Sequence, residues 1–126
     1  RGSILAKELM KVIEKISNIN VTIGRIDLNK KNPYDKTANI NLTENDYKNK
    51  VVILCDDVLN SGKTLMYSSK IFLSTPLKKL STVVLVNRNH NLYPIKSDYV
   101  GFSLSTTLKE YVNVDLTTAN KGVYLS

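Results

Sequence analysis

Residues 51 to 64 read VVILCDDVLNSGKT, and the chemistry changes abruptly along them. An apolar run, Val51 to Cys55, ends in two adjacent acids, Asp56 and Asp57, and a small polar turn follows, Asn60-Ser61-Gly62-Lys63-Thr64. A continuous apolar run is how a buried strand of a parallel sheet reads, and open α/β sheets bind ligands just beyond the carboxyl ends of such strands. Carboxylates accept hydrogen bonds from vicinal hydroxyls and ligate a hard cation such as Mg²⁺ through oxygen. The backbone N–H groups of a tight turn, two hydroxyls and an incoming helix suit a dianionic phosphate. Diol acceptors and a phosphate cradle therefore lie side by side, which is the build of a sugar-phosphate site.

Other readings of these residues are weaker. Gly62-Lys63-Thr64 matches the end of a Walker-type nucleotide loop, but that motif needs a glycine where Asp57 stands, so the nucleoside-triphosphatase reading fails. Single acids often cap a turn after a buried strand, yet two acids followed by Asn-Ser-Gly-Lys-Thr are harder to explain that way. His90, the sole histidine, sits in Asn89-His90-Asn91 and reads as a surface turn residue rather than a base. One histidine with no cysteine nearby makes no zinc site. Cys55 is the only cysteine, so a disulfide framework is impossible; it reads as a buried inert thiol and fits a cytoplasmic setting.

The elements that must position these groups are legible in outline. Leu5, Leu9, Val12, Ile13 and Ile16 form a stripe that predicts a helix over residues 3 to 16, packed on a sheet as part of the core. Residues 21 to 27 and 82 to 86 read as strands rich in β-branched side chains, and 98 to 102 as a shorter one. Residues 64 to 73 read as the helix after the phosphate turn, closed by Pro76. Strands alternating with helices indicate an α/β fold with a mainly parallel, Rossmann-like sheet flanked by helices. Residues 29 to 49 turn polar around Asn32-Pro33 and read as a long mobile loop, of the kind that serves as a lid.

Composition narrows the function classes. At 126 residues, 42% hydrophobic, with three prolines, residues 1 to 126 make one globular domain. No apolar run approaches membrane-spanning length, so no membrane partner is expected, and no signal-peptide pattern opens the chain. The formal net charge is +7. Lysines are spread along the chain, paired at Lys30-Lys31 and Lys78-Lys79, with no arginine-rich or aromatic-interleaved run. That pattern favours a solvated surface attractive to an anionic sugar phosphate over an RNA site.

At the acidic pair and its turn the chain resembles the type I phosphoribosyltransferases, whose signature is an apolar strand, two acids, a short apolar pair and a Thr/Ser-Gly turn. Residues 82 to 101, TVVLVNRNHNLYPIKSDYVG, resemble the second core segment of the pyrimidine operon attenuator/uracil phosphoribosyltransferase branch. Residues 2 to 15 resemble the helix that follows its pyrophosphate loop. The resemblance implies a Mg²⁺-dependent enzyme that moves ribosyl phosphate from phosphoribosyl pyrophosphate to a nucleobase, or binds a nucleoside monophosphate. Asp56 and Asp57 would hold the ribose hydroxyls, directly or through Mg²⁺. Asn60, Ser61, Gly62, Lys63 and Thr64 would hold the 5′-phosphate, and Arg1 with Gly2 would end the pyrophosphate loop. Asn87 falls on a base-contacting position and Asp115 on an acid near metal and pyrophosphate. Tyr34 with Lys30, Lys31 and Lys36 would reach pyrophosphate from the closing loop. The resemblance also implies a homo-oligomer, and about one more strand and helix before Arg1.

Departures from the family pattern carry information as well. Purine-specific relatives usually have an acid where Asn60 stands, and an amide has no proton to exchange near neutral pH. That tilts the base towards a pyrimidine. Asn87-Arg88 replaces the attenuator branch's Asp-Arg pair. A nucleotide-sensing, RNA-binding attenuator and a catalytically idle relative are the alternative readings.

Overall fold

A parallel sheet of three strands in the order β3-β4-β5 forms the centre of the computed structural model, which describes residues 1–29, 31–34 and 38–126. β3 is Val51–Leu59, β4 is Lys79–Asn87 and β5 is Tyr99–Ser103. Before them come the helix α1 (Gly2–Ile16), the antiparallel pair β1 (Ile26–Asp27) and β2 (Asn39–Ile40), and the one-turn helix α2 (Glu44–Tyr47). A helix, α3 (Lys63–Ser69), with a 3-10 turn over Lys70–Phe72, joins β3 to β4. The antiparallel pair β6 (Val112–Asp115) and β7 (Gly122–Leu125) follows β5.

β3 runs further than its apolar residues. Asp56 lies opposite Val84, Val58 opposite Val86 and Leu59 opposite Asn87, so the acidic pair stands inside the strand rather than beyond its end. Ladder bonds are made by the backbone, and β4 offers partners to polar and apolar residues alike. The core gathers between this sheet and α3, where Leu54, Leu59, Leu65, Phe72 and Val84 are buried. Each fully buried aliphatic or aromatic side chain contributes about 1.5–3 kcal/mol relative to leaving it exposed.

Three expectations change. The strand expected over residues 21 to 27 shrinks to Ile26–Asp27, paired only with β2. The segment from 29 to 49 is not structureless: Thr43 and Asp46 form a capping box that starts α2, with the Thr43 N–H donating to Asp46 Oδ2 at 2.8 Å. Tyr47 then packs edge-on against Phe72, with ring centroids 5.0 Å apart. α1 packs on β3, but none of its residues is fully buried, and Val12 and Ile16 of the expected stripe are 54% and 76% exposed. Among the described residues β3 is the main element beneath it, too narrow a support to cover a whole helical stripe. No helix among the described residues is long and apolar enough to cross a membrane.

Candidate functional site

The carboxyl ends of β3, β4 and β5 lie at one edge of the sheet, because the strands are parallel. The turn after β3 is held there by the loop that follows β4. The carbonyl oxygen of Ser61 accepts from the backbone N–H groups of Leu92 (2.8 Å) and Tyr93 (3.0 Å). Gly62 adopts φ 85°, the left-handed region that glycine enters without steric cost, and caps α3. Ser61 Oγ accepts from the Lys63 N–H at 3.2 Å, folding the turn back on itself.

Asp56, Asn60, Ser61, Gly62, Lys63 and Thr64 share one cleft of about 140 Å³. One acid and the whole expected phosphate turn are thus brought together. Asp57 lies next to this cleft rather than on its lining. Asp56 Oδ1 accepts from the Asp57 N–H at 2.9 Å and Asp57 Oδ1 from the Val58 N–H at 3.0 Å, so neighbouring backbone amides orient both carboxylates. Cys55, just before them, has its thiol pushed up to about 11 by burial and, secondarily, by the Asp56 carboxylate.

The start of α1 crosses this strand closely. A Cβ on Gly2 would stand 3.0 Å from the carbonyl oxygen of Cys55 and 3.3 Å from the Asp56 Cα, so only a glycine fits the approach without a shift. Arg1 Nη1 donates to Asn113 Oδ1 at 2.5 Å, and Arg1, Asn113, Asp115 and Thr117 line a second cleft of about 160 Å³. Asp115 does not join the dyad. Its Oδ1 accepts from the Thr117 N–H (2.9 Å), the Thr117 hydroxyl (3.0 Å) and the Thr118 N–H (3.3 Å), and these bonds hold its carboxyl below the usual range.

Asn87 ends β4 beside Leu59, and its Oδ1 accepts from the Asn89 N–H at 2.9 Å. Tyr34 comes to the turn after β3 from the segment between β1 and β2. Its ring centroid lies 5.9 Å from Lys63 Nζ, within cation–π range. Lys31 is exposed; Lys30 and Lys36, expected to act with it, lie outside the described residues. The ring nitrogen Nε2 of His90, expected at a surface turn, is part-buried and meets the Thr106 carbonyl at 2.6 Å, so it fastens one loop to another.

Sequence reasoning missed Arg88, which is buried and whose guanidinium donates to Thr106, Thr107 and Glu110. In the fold Val84, Val86 and Arg88 continue a period-2 buried face, which the sequence alone does not mark because Val83 and Leu85 between them are apolar too. It also missed Tyr93 and Ile95, against which the glycine of the turn packs.

A divalent cation fits the donor set in one way. Among the described residues no group of three or more His, Cys, Asp or Glu converges on one point, so these residues offer no closed cage. Two adjacent carboxylates beside a turn expected to take phosphate suit Mg²⁺, which is usually held by one or two carboxylates together with substrate phosphate oxygens.

The family described as the phosphoribosyl transferase domain matches residues 1–118. The chain is 31% identical over 123 residues to the bifunctional protein PyrR of Pediococcus pentosaceus, covering 90% of this chain and 70% of that protein. It is 36% identical over 124 residues to the bifunctional protein PyrR of Staphylococcus saprophyticus, covering 92% of this chain and 70% of that protein. Its fold is similar to a hypoxanthine-guanine phosphoribosyltransferase from Bacillus anthracis, with TM-score 0.64 and 24% identity over 82% of this chain. A hypoxanthine phosphoribosyltransferase from Staphylococcus aureus gives TM-score 0.67 and 20% identity over 89%. The chain spans about 60% of the length of each of these two structures.

Proposed function

The chain belongs to the phosphoribosyl transferase domain family, and from that premise we propose that it binds phosphoribosyl pyrophosphate with Mg²⁺ and transfers its ribosyl phosphate to a nucleobase, a pyrimidine in preference to a purine. The observation that carries this reading is the single cleft in which Asp56 meets the whole turn from Asn60 to Thr64.

In the reaction the bond from the anomeric carbon to pyrophosphate oxygen breaks and a bond from that carbon to a ring nitrogen forms, the displaced nitrogen proton leaving to solvent. Asp56 and Asp57 accept hydrogen bonds from the ribose hydroxyls and so fix the anomeric carbon in place. The amides and hydroxyls of residues 60 to 64, with the Lys63 ammonium, hold the 5′-phosphate. Arg1 and Asp115 line the second cleft, and Gly2, next to Arg1 in the chain, passes close to Asp56, so this side of the strand would take the departing pyrophosphate. Mg²⁺, when bound, neutralises charge that builds on that leaving group. Asp56 and Asp57 would hold it together with ligand oxygens. Tyr34 would close over the phosphate turn from outside and limit the entry of water. Asn60 offers no titratable proton, so the chemistry is mostly positional and electrostatic. The proposed setting is the cytoplasm, where a single reduced cysteine is ordinary.

Pyrophosphate release, measured with phosphoribosyl pyrophosphate, Mg²⁺ and a panel of free bases, tests the proposal. Release that depends on a pyrimidine base supports it. Release with purines only would reverse the base preference, and no release with any base would leave a binding domain without transferase activity.

A further inference from the structure

Arg88 is 7% exposed yet takes part in no ion pair among the described residues. A buried guanidinium is costly unless its donors are met, and here one stretch of chain meets them. Nε donates to Thr106 Oγ1 at 3.0 Å, and Nη2 to the carbonyl oxygens of Thr107 (3.2 Å) and Glu110 (2.6 Å). All three acceptors belong to the loop between β5 and β6. The same loop is pinned at its start by the Leu104 N–H on the Asn87 carbonyl (2.8 Å), and in its middle by His90 on Thr106. Inside it, the Glu110 carboxylate accepts from the Thr107 N–H at 2.6 Å.

The loop therefore hangs from residues 87, 88 and 90, just past the end of β4. The Arg88 N–H donates to the Leu59 carbonyl at 3.0 Å, which ties the same residue to the position immediately before Asn60. Phosphate turn, Asn87 and the loop thus occupy neighbouring strand ends in the order β3, β4, β5. A nucleotide whose phosphate lies over the turn after β3 and whose base reaches Asn87 meets this loop next.

We propose that Arg88 is a positioning residue that holds the 104–111 loop as the wall of the base subsite, so that affinity for the base depends on it while affinity for the sugar phosphate does not. This rests on the sugar-phosphate reading given above. A lysine cannot replace it, because one ammonium cannot span three acceptors that a planar fork reaches together. A purely structural role would weaken binding of every ligand alike.

Calorimetric titration of the whole chain with ribose 5-phosphate, UMP and IMP separates the possibilities. In the unsubstituted protein, the gain of the tighter monophosphate over ribose 5-phosphate measures the base contact. Arg88→Lys and Arg88→Met are expected to weaken that monophosphate by about tenfold, the scale of a misplaced contact wall, and to leave ribose 5-phosphate within about twofold. If Arg88→Met does not fold, the pair Thr106→Val with His90→Ala loosens the same loop from outside the core, and a selective loss in the same direction is expected. Equal weakening of both ligands, or an unchanged monophosphate in folded variants, overturns the inference. So does an unsubstituted protein that binds both monophosphates no better than ribose 5-phosphate. Failure of the unsubstituted protein to bind ribose 5-phosphate at all contradicts the sugar-phosphate reading itself, and is seen before any variant is made.

Discussion

Gly62 and Ile95 are packed so closely that a Cβ on the glycine would stand 2.6 Å from Cγ2 of the isoleucine. The turn from Asn60 to Thr64 is therefore shaped by the loop after β4 as well as by its own sequence, and φ 85° at Gly62 adds a second reason for glycine.

Gly62→Ala is expected to destabilise the fold by about 1–2 kcal/mol from the left-handed backbone alone, with the clash added. Adding Ile95→Ala should return the clash part and leave the backbone part. Urea unfolding midpoints of the two single variants and the double variant measure this coupling. Strictly additive losses would show that the two residues do not press on each other.

Cys55 has its thiol raised to about 11 from an ordinary 9.0, first by burial and then by Asp56. At pH 8 its thiolate is then about a hundredfold scarcer than that of an ordinary thiol. Iodoacetamide should label it correspondingly slowly in the folded protein and at the ordinary rate in urea. Because the folded value is raised, the associated stability is complete below pH 9 and is lost as pH climbs towards 11. Fast labelling of the folded protein at pH 8 would contradict this placement of the thiol.

Acid should loosen the protein for an identifiable reason. The carboxyls of Asp46, Glu110 and Asp115 are all held below their ordinary values, in each case first by a backbone N–H: that of Thr43, Thr107 and Thr117 respectively. Their folded values are depressed, so the stability they contribute is present above pH 4.5 and is lost as pH falls through the lower folded values. Thermal unfolding followed between pH 6 and 3 should show a falling Tm below about pH 4.5, and Glu110→Gln should flatten part of that slope. A Tm that does not move across this range would contradict it.

Much of the site was legible because its chemistry is local. The run from Val51, the adjacent acids and Gly62 announce themselves within fourteen positions, and the structure gathers Asp56 with residues 60 to 64. What was not legible depends on partners distant in the chain. β3 continues through Asp56 to Leu59 because β4 supplies a ladder, and nothing in the two acids that interrupt the apolar run signals it. Val21 to Ile23 have strand-like side chains but pair with no strand among the described residues. Arg88 looks like a solvated loop residue until the Thr106, Thr107 and Glu110 acceptors are brought to it from the far side of β5. The β6–β7 hairpin was missed because its strands are four residues each, too short for alternation to stand out.

The central claim is that Asp56 and Asp57 hold the ribose of a ligand whose phosphate lies in the turn from Asn60 to Thr64. Titration calorimetry with phosphoribosyl pyrophosphate and Mg²⁺, comparing the unsubstituted protein with Asp56→Asn/Asp57→Asn, tests it most directly. The substituted protein should remain folded and lose at least about 1.5 kcal/mol of binding free energy, the lower end for one charge-assisted hydrogen bond. A folded double variant with unchanged affinity would contradict the account.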